Sequence, residues 1–360
     1  MNSREVIKTL LNKQLPERIG LNEHFWPFIV DNAWGNQGIS SDEDMVSRFN
    51  LDIRSFSWFS VPGPRPDLAG IVTENDEWIV TRDGWGASIK TWKYKAGTPE
   101  HVGFSVTTPE IWHQEYREAV QSIDLKSRID FQDLQSAYQQ AMNGNRFVTA
   151  SSLFVFEELR KVLGDVTMLE AVLLEPQWIT DFCTVITDMY ITYYELLFSE
   201  VGLPDGVHIY DDLGYTANAF ISPQCHRELI HPHHCRLFSL FKDYGLPIIL
   251  HTCGDFRPHL PAIVESGVDC IQALEAKTGM NVVSLAEEYG DRICFMGNID
   301  VTVLETGDRY KIQSECLSKI EGMKALRAPY VFMSDHSIPP SVSLSDYEYM
   351  LTLYRENCRY

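Results

Sequence analysis

Residues 206–255 read GVHIYDDLGYTANAFISPQCHRELIHPHHCRLFSLFKDYGLPIILHTCGD. The stretch begins with a short apolar run of strand character, continues into a helical pattern over 222–245 and ends in a second apolar run at 247–255. This order is typical of two parallel strands joined by a right-handed helical crossover. We therefore take it as the building unit of the fold.

The same rhythm extends over the chain from about residue 145 onward. Further strand-like runs occupy 146–154, 269–276, 293–300 and 330–337, and helical patterns lie between them, among others at 256–267 and 281–290. Six strand runs in one unbroken series favour a closed barrel over an open sheet. We predict an α/β protein in which residues 1–360 form a single (β/α)8 TIM-type barrel domain.

The first hundred residues do not show this rhythm. We expect them to form an irregular N-terminal extension packed on the barrel, with a hairpin at 77–97 that turns near Gly84 and Gly86. The spacing of apolar residues in 1–20 predicts an amphipathic helix and not a signal peptide.

The overall composition narrows the class of protein. A content of 44% hydrophobic and 22% charged residues is that of a globular protein, and the net charge of -20 argues against a nucleic-acid partner. No apolar run is long enough to span a membrane. The eight cysteines are scattered, which predicts free thiols in a reducing cytoplasm. Neither a GxGxxG nor a P-loop motif follows any strand, so the main dinucleotide and nucleotide signatures are missing.

Polar side chains are concentrated where the predicted strands end, whereas the strands begin with apolar residues. Active sites of such barrels lie at the carboxyl ends of the strands. This asymmetry predicts an enzyme. The residues at these ends are Asp211, Asp212, His251, Cys253, Gln272, Glu275, Asn298, Asp300, Asp335 and His336.

His251 and Cys253 are two positions apart at one strand end, so both side chains can point to the same side. A catalytic zinc usually has three protein ligands drawn from Cys, His and carboxylate. We predict His336 as the third ligand, with Asp335, Glu275 and Asp300 as further candidates. In the alternative interpretation, His251 donates a hydrogen bond to a neighbouring carboxylate and Cys253 only packs.

Two other motifs are less specific. Asp211 and Asp212 point to opposite sides of a strand, so at most one of them faces the barrel mouth, and either can be an acid at a helix N-terminus. HPHH at 231–234 looks like a metal motif, but it lies in a helical pattern in which neighbours face different directions. We expect it on the surface of a helix.

Long segments of the chain resemble the uroporphyrinogen decarboxylase superfamily. These are HTCGDFRPHLPAIVESG and its continuation to residue 300, the closing segment 330–356 with its IPP turn, and the segments 154–176 and 211–245. The resemblance covers roughly residues 15–356 and implies a (β/α)8 barrel. One branch of the superfamily decarboxylates uroporphyrinogen without a cofactor, and another contains zinc-dependent methyltransferases that work with corrinoid proteins.

Two features resemble the methyltransferase branch more closely. The true decarboxylases hold their polycarboxylate substrate with several arginines near the N-terminus. The corresponding segment 17–34 contains a single arginine, Arg18, and carries the acids Glu23 and Asp31. The methyltransferases bind zinc through an H-x-C pair, matched here by His251 and Cys253, and a distant third ligand, typically Cys. Alignment on the IPP turn places His336 at that third position.

The resemblance therefore implies methyl transfer between a small molecule (a methyl ether, amine or thiol) and a corrinoid. The corrinoid would be carried by a separate protein, because the chain has no D-x-H-x-x-G signature. Relatives are often homodimers. For the remaining strand-end residues we expect catalytic roles for Asp211, Asp212 and Asp300, and substrate contacts from Glu275, Gln272, Asn298 and Trp26.

Two other functions stay open at this point. The fold and the strand-end acids also suit a cofactor-free decarboxylase of a porphyrin or small carboxylate. A non-catalytic relative that binds a corrinoid protein or a small ligand as a regulator is the third possibility.

Overall fold

The structure is a computed structural model that describes residues 1–26, 29–94 and 99–360, with Asp31 and Asn32 described by their backbone alone. Eight parallel strands form one sheet in the order β1-β8-β7-β6-β5-β4-β3-β2. The strands are β1 Gly20–Leu21, β2 Ile53–Phe59, β3 Phe147–Leu153, β4 Gly206–Tyr210, β5 Ile248–Thr252, β6 Cys270–Ala273, β7 Cys294–Gly297 and β8 Tyr330–Phe332. The predicted (β/α)8 barrel is confirmed, and all six predicted strand runs are strands.

Helices connect the strands and surround the sheet. The longer ones are Phe131–Met142, Val155–Leu163, Asp165–Leu174, Pro176–Glu200, His231–Asp243, Leu260–Glu265, Val282–Tyr289, Arg309–Ala325 and Leu344–Asn357. Short helical turns include Met45–Arg48, Pro109–Ile111, Trp112–Tyr116, Arg117–Gln121, Leu125–Arg128, Pro223–Cys225, His226–Ile230, Arg257–His259, Ala276–Thr278 and Val301–Glu305. Within the described ranges, no helix is both long and apolar enough to cross a membrane.

The N-terminal region is more ordered than the sequence pattern predicts, because it supplies β1 and β2. The pattern missed β1 because the strand has only two residues, and it missed β2 because buried and exposed side chains mix along it. The expected hairpin is confirmed: Trp78–Arg82 pairs antiparallel with Ser88–Trp92. Gly70–Glu74 and Glu100–Gly103 extend it to a four-stranded sheet, while residues 95–97 lie outside the described part of the chain.

The amphipathic helix expected near the N-terminus spans Ser3–Leu11 and packs into the barrel. Its four apolar residues Val6, Ile7, Leu10 and Leu11 form a buried cluster with inward side chains of the strands. Gly20 allows this approach, since a Cβ atom there would lie 2.9 Å from the Cδ1 atom of Ile7. This helix therefore covers the end of the barrel at which the strands begin.

HPHH at 231–234 begins the helix His231–Asp243, but the expectation of a surface position is wrong. His233 and His234 are 5% and 0% exposed. Leu237, Phe238 and Phe241 follow at helical spacing and belong to the same buried face. The apolar residues after the motif therefore decide its orientation.

Asp52 closes the barrel between its first two strands. Its backbone N–H donates to the carbonyl oxygen of Leu21 at 2.8 Å, and its carboxylate accepts from the Leu21 N–H at 2.7 Å. Both carboxylate oxygens also accept from the Arg18 guanidinium at 2.7 Å. This buried carboxylate thus replaces the backbone ladder that a two-residue strand cannot supply.

We expect Asp52→Ala to lower the free energy of unfolding by about 3–5 kcal/mol, because it leaves the Arg18 charge and the Leu21 N–H without their partner. Urea unfolding followed by circular dichroism measures the effect. Asp67→Ala is the control, since Asp67 pairs with Arg65 on the surface with 61% of its side chain exposed. Equal unfolding midpoints for the two variants would contradict the role of Asp52 in closure.

Candidate metal centre

The register of the central strands places a row of polar side chains inside the barrel mouth. His251 on β5 lies opposite Tyr210 on β4 and opposite Gln272 on β6. Paired residues of neighbouring parallel strands point to the same side of the sheet. His208 lies two residues before Tyr210 and therefore also faces inward. The row ends where β5 gives way to Cys253.

Cys253 is the shared member of two groups of metal-ligating atoms. One group consists of Asp212, His251 and Cys253, and the other of Cys253, Glu275 and His336; within each group the ligand atoms lie within 4.8 Å of one another. The Cys253 Sγ atom lies 3.2 Å from the Nε2 atom of His251. Cys253 thus lies near each of the other two predicted ligands, with His251 in one group and His336 in the other. The carboxylates of Asp212 and Glu275 complete the two groups.

Gln272 determines which nitrogen of His251 faces the cluster. The Gln272 Oε1 atom lies 2.5 Å from His251 Nδ1 and 3.3 Å from His208 Nε2, and its amide nitrogen faces the sulfur of Met333. An amide oxygen only accepts, so both imidazoles donate to it. The lone pair of His251 is therefore on Nε2, beside Cys253. The sequence analysis expects Gln272 to contact substrate, and in the structure its amide oxygen orients the candidate metal ligand His251.

The hydrogen-bonded chain continues beyond Gln272 through residues that the sequence did not single out. With Nε2 of His208 donating, its Nδ1 accepts from the Tyr210 hydroxyl at 3.4 Å, and Tyr210 lies 3.3 Å from His24 Nε2. Burial lowers the pKa of His208 far below its usual range and that of His24 to about 4. Both rings are therefore neutral, as this series of hydrogen bonds requires. The alternation of side chains along β4 could have predicted that His208 faces the barrel interior.

Negative charge accumulates around Cys253 and makes the cluster suited to a cation. Asp212 Oδ1 accepts the Cys253 backbone N–H at 2.8 Å and lies 3.5 Å from His251 Nε2. Burial, then the carboxylates of Asp212 and Glu275, raise the pKa of the Cys253 thiol well above its usual range. A divalent cation bound to the sulfur would ionise the thiol in spite of burial and the nearby carboxylates. Thiolate, imidazole and carboxylate are the donors that zinc prefers, so the residues present fit a zinc ion.

Asp211 lies outside this cluster. Its carboxylate is fully buried, accepts from the backbone N–H groups of Phe156 and Glu157 at 2.8 Å and contacts His234 Nε2 at 2.7 Å. It therefore caps the helix Val155–Leu163 from a neighbouring strand end. These contacts favour a positioning role for Asp211 over the predicted catalytic role. This agrees with the alternation of side chains along a strand, which predicts that at most one of two adjacent acids faces the barrel mouth.

Three other strand-end residues form hydrogen bonds to backbone groups of the loops: Asp300, Asn298 and Asp335. Asp300 caps the helix Val301–Glu305 through the Thr302 N–H. The Asn298 amide accepts from one backbone N–H and donates to two backbone carbonyls. Asp335 accepts from two backbone N–H groups. Polar side chains at strand ends thus divide between metal-competent groups and groups that fix the loops.

Trp26 packs against His336. The two ring centroids are 6.4 Å apart with an interplanar angle of 20°. Burial lowers the pKa of His336, which favours the neutral ring that a metal binds. Trp26, expected to contact substrate, is placed to hold a candidate ligand as well.

Glu23 supports the loop that carries Ser334 and His336 from inside the protein. Ser334 Oγ lies 2.5 Å from both Glu23 Oε1 and the backbone oxygen of His336. A serine hydroxyl carries one proton, so one of these two contacts needs a proton from the Glu23 carboxyl. Burial raises the pKa of Glu23 to about 8, in agreement. Glu23 is thus a buried, neutral residue that supports this loop. The side chain of Asp31, the other acid noted in 17–34, lies outside the described residues.

We expect Gln272→Leu to weaken zinc binding by about 10- to 100-fold, because His251 loses the acceptor that fixes its tautomer. Competition with a chromogenic chelator measures the affinity. Gln272→Glu keeps an acceptor at this position and should bind zinc more tightly than Gln272→Leu. Equal affinities of the two variants would show that His251 does not depend on this hydrogen bond.

Glu23 gives a pH dependence with a defined sign. Between about pH 4.5 and 8 the folded protein keeps a proton on Glu23 that the unfolded chain has released, so stability falls as pH rises through this window. Glu23→Gln stays neutral and should lose less stability between about pH 5 and about pH 9 than the wild-type protein. Urea unfolding at both values tests this, with Glu356→Gln on the surface as the control. Parallel pH profiles for wild type and Glu23→Gln would contradict the assignment.

Parts of the chain are similar in sequence to known proteins. The chain is 30% identical over 131 residues to the uroporphyrinogen decarboxylase of Pelodictyon phaeoclathratiforme, which corresponds to 32% of this chain and 37% of that protein. It is 33% identical over 85 residues to the methylated-thiol–coenzyme M methyltransferase of Methanosarcina mazei, which corresponds to 24% of this chain and 21% of that relative. The chain thus spans less than half the length of these curated relatives.

A solved structure shares the fold over nearly the whole chain. A methyltransferase from Methanosarcina mazei superimposes with a TM-score of 0.66 and 12% sequence identity, covering 99% of both chains. The sequence profile of the uroporphyrinogen decarboxylase (URO-D) family matches residues 164–357, which is more than half of the chain. This protein therefore belongs to the uroporphyrinogen decarboxylase family.

Proposed function

We propose that this protein is a zinc-dependent methyltransferase that moves a methyl group between a small molecule and a corrinoid carried by a separate protein. The observation that carries the proposal is that Cys253 belongs to two groups of metal-ligating atoms, one with His251 and Asp212 and the other with Glu275 and His336. The resemblance to methyltransferases noted in the sequence supports the same activity, as does a matching relative named as a methylated-thiol–coenzyme M methyltransferase.

We propose His251, Cys253 and His336 as the protein ligands of the zinc, with Glu275 beside them. A catalytic zinc usually keeps one position open for substrate. When bound, the ion would supply Lewis-acid activation of the substrate heteroatom that gives or takes the methyl group.

The protein's own side chains prepare this chemistry. Gln272 holds the His251 lone pair toward the cluster, and Asp212 holds the Cys253 backbone. Asp212 has 27% of its side chain exposed, so its carboxylate is open enough to accept a proton from an acceptor thiol or amine. Trp26 and Trp58 border the mouth: Trp26 stacks on His336, and Trp58 contacts the Tyr210 ring edge-on at 4.9 Å.

A cofactor-free decarboxylase is the alternative, and several matching relatives are named uroporphyrinogen decarboxylase. Decarboxylation of a polycarboxylate needs cationic side chains at the mouth. Arg18 is the sole arginine in 17–34, and its guanidinium is engaged by Asp52 and Tyr354 at the barrel closure. This engagement disfavours a polycarboxylate substrate.

We expect Cys253→Ala and His336→Ala each to lower the zinc content of the purified protein by about one ion per chain, because each removes one of three ligands. Elemental analysis measures this content. Cys358→Ala is the matched control, since its buried sulfur contacts the backbone oxygen of Arg355 far from the cluster. It should leave the zinc content unchanged.

An activity assay then separates the two functions. Zinc-loaded protein should transfer a methyl group between a panel of thiols, amines or methyl ethers and a free cobalamin, and Cys253→Ala should lower the rate at least about 100-fold. No difference in zinc content between wild type and both variants would overturn the proposed centre. Turnover of uroporphyrinogen that persists in Cys253→Ala would establish the decarboxylase alternative.

A further inference from the structure

Two cysteines face each other where β6 and β7 begin. Cys270 and Cys294 are the first residues of these strands, and the sheet register pairs them directly. Both are free thiols, and both are fully buried. Cys253 lies beyond the carboxyl end of β5, so this pair is at the opposite end of the barrel from the candidate metal centre.

Both thiols point into the barrel. They belong to the buried cluster that also contains Ile249 on β5 and the apolar face of the helix Ser3–Leu11. The two side chains also interact: burial first, and then a hydrogen bond with the Cys294 thiol, raise the pKa of Cys270 well above its usual range. The two sulfur atoms are therefore neighbours on the same side of the sheet.

The register gives the pair a spacing that a disulfide can bridge. Neighbouring strands lie about 4.8 Å apart, so the Cα atoms of directly paired residues are separated by about this distance. Disulfides join Cα atoms that are about 4.4–6.8 Å apart. Side chains inside a closed barrel converge toward its axis, which brings the two Cβ atoms closer together than the Cα atoms. The bond therefore needs no change in the register of β6 and β7.

The N-terminal helix separates this pair from solvent, because it covers the end of the barrel at which the strands begin. Lys13, just after the helix, forms an ion pair of 2.5 Å with Asp269, which directly precedes β6. Arg4 near the start of the helix pairs with Asp205 at 2.8 Å. The side chains of both cations are 28% exposed, so these ion pairs contribute little to holding the helix. Elements attached in this way open before the core of a protein unfolds.

We propose that Cys270 and Cys294 form a disulfide when the N-terminal helix opens and a small disulfide such as oxidised glutathione reaches them. One protein thiolate attacks the small disulfide, forms a mixed disulfide with one half and releases the other half. The second protein thiolate then attacks the mixed disulfide at the protein sulfur, forms the bond between the two cysteines and releases the remaining half. Two protein thiols are oxidised, one small disulfide is reduced to two thiols, and the two cysteine protons go to the released thiolates.

Opening of the helix is required because the thiolate is the reactive species. While the helix is in place, burial keeps Cys270 protonated and excludes the oxidant. When the helix is released, water reaches the pair and the fraction of thiolate rises. The disulfide then joins β6, which carries Gln272, covalently to β7. The pair is independent of the metal centre and of the reaction proposed above.

Peptide mapping of the wild-type protein tests the proposal. The folded protein is incubated with oxidised glutathione, the remaining thiols are alkylated in denaturant, and a non-reduced digest is analysed by mass spectrometry. Cleavage after Glu265 separates Cys253 from Cys270, so the digest identifies which cysteine is linked. A peptide pair joined through Cys270 and Cys294 is expected. Cys316 is the matched control, because it is equally buried in a helix, and it should stay a thiol.

The rate of disulfide formation tests the role of the helix. We expect Lys13→Gln to form the linked pair about threefold faster than the wild-type protein, because it removes an ion pair that holds the helix. Asp269 keeps Lys242 as a partner in this variant. Lys8→Gln is the matched control, since Lys8 is an exposed cation on the same helix and forms no ion pair within the described part of the chain. It should react at the wild-type rate.

Two results would overturn the proposal. One is that Cys270 and Cys294 stay thiols, or carry glutathione without being linked to each other, in both the wild-type protein and Lys13→Gln. The other is an equal rate of linkage in Lys13→Gln and Lys8→Gln, which would show that the oxidant reaches the pair without release of the helix.

Discussion

The carboxylate of Asp211 is held by the backbone N–H groups of Phe156 and Glu157 and by the ring of His234. These contacts satisfy a charge that would otherwise be too costly to bury at the end of β4. They also fix the direction in which the chain leaves the barrel wall. Asp212 therefore turns to the opposite side, where it accepts the Cys253 N–H. Two adjacent acids thus connect the outer helices to the candidate metal centre.

The barrel could be predicted because strands buried on both faces appear as continuous apolar runs with helices between them. The same rule explains what was missed. β1 has two residues and depends on Asp52 for its hydrogen bonds, and β2 mixes buried with exposed side chains. Strands of this kind are defined by contacts with partners distant in sequence, which a local pattern does not contain.

The candidate site was predictable in its position and less so in its details. Strand-end placement is enough to bring Cys253 near both His251 and His336, because all carboxyl ends of a parallel barrel meet at one mouth. It does not reveal which polar groups satisfy loop backbone, as Asn298 does. His24 enters the site from a segment that the sequence left without regular structure, and its contact with Tyr210 depends on the folded barrel.

Cys253 belongs to both groups of ligand atoms, so oxidation of this one sulfur would disable the whole centre. Burial and the neighbouring carboxylates keep the metal-free sulfur protonated by raising its pKa. The thiolate, not the thiol, reacts with peroxides and disulfides. In the metal-free protein we therefore expect the Cys253 thiol to react slowly with peroxides and disulfides.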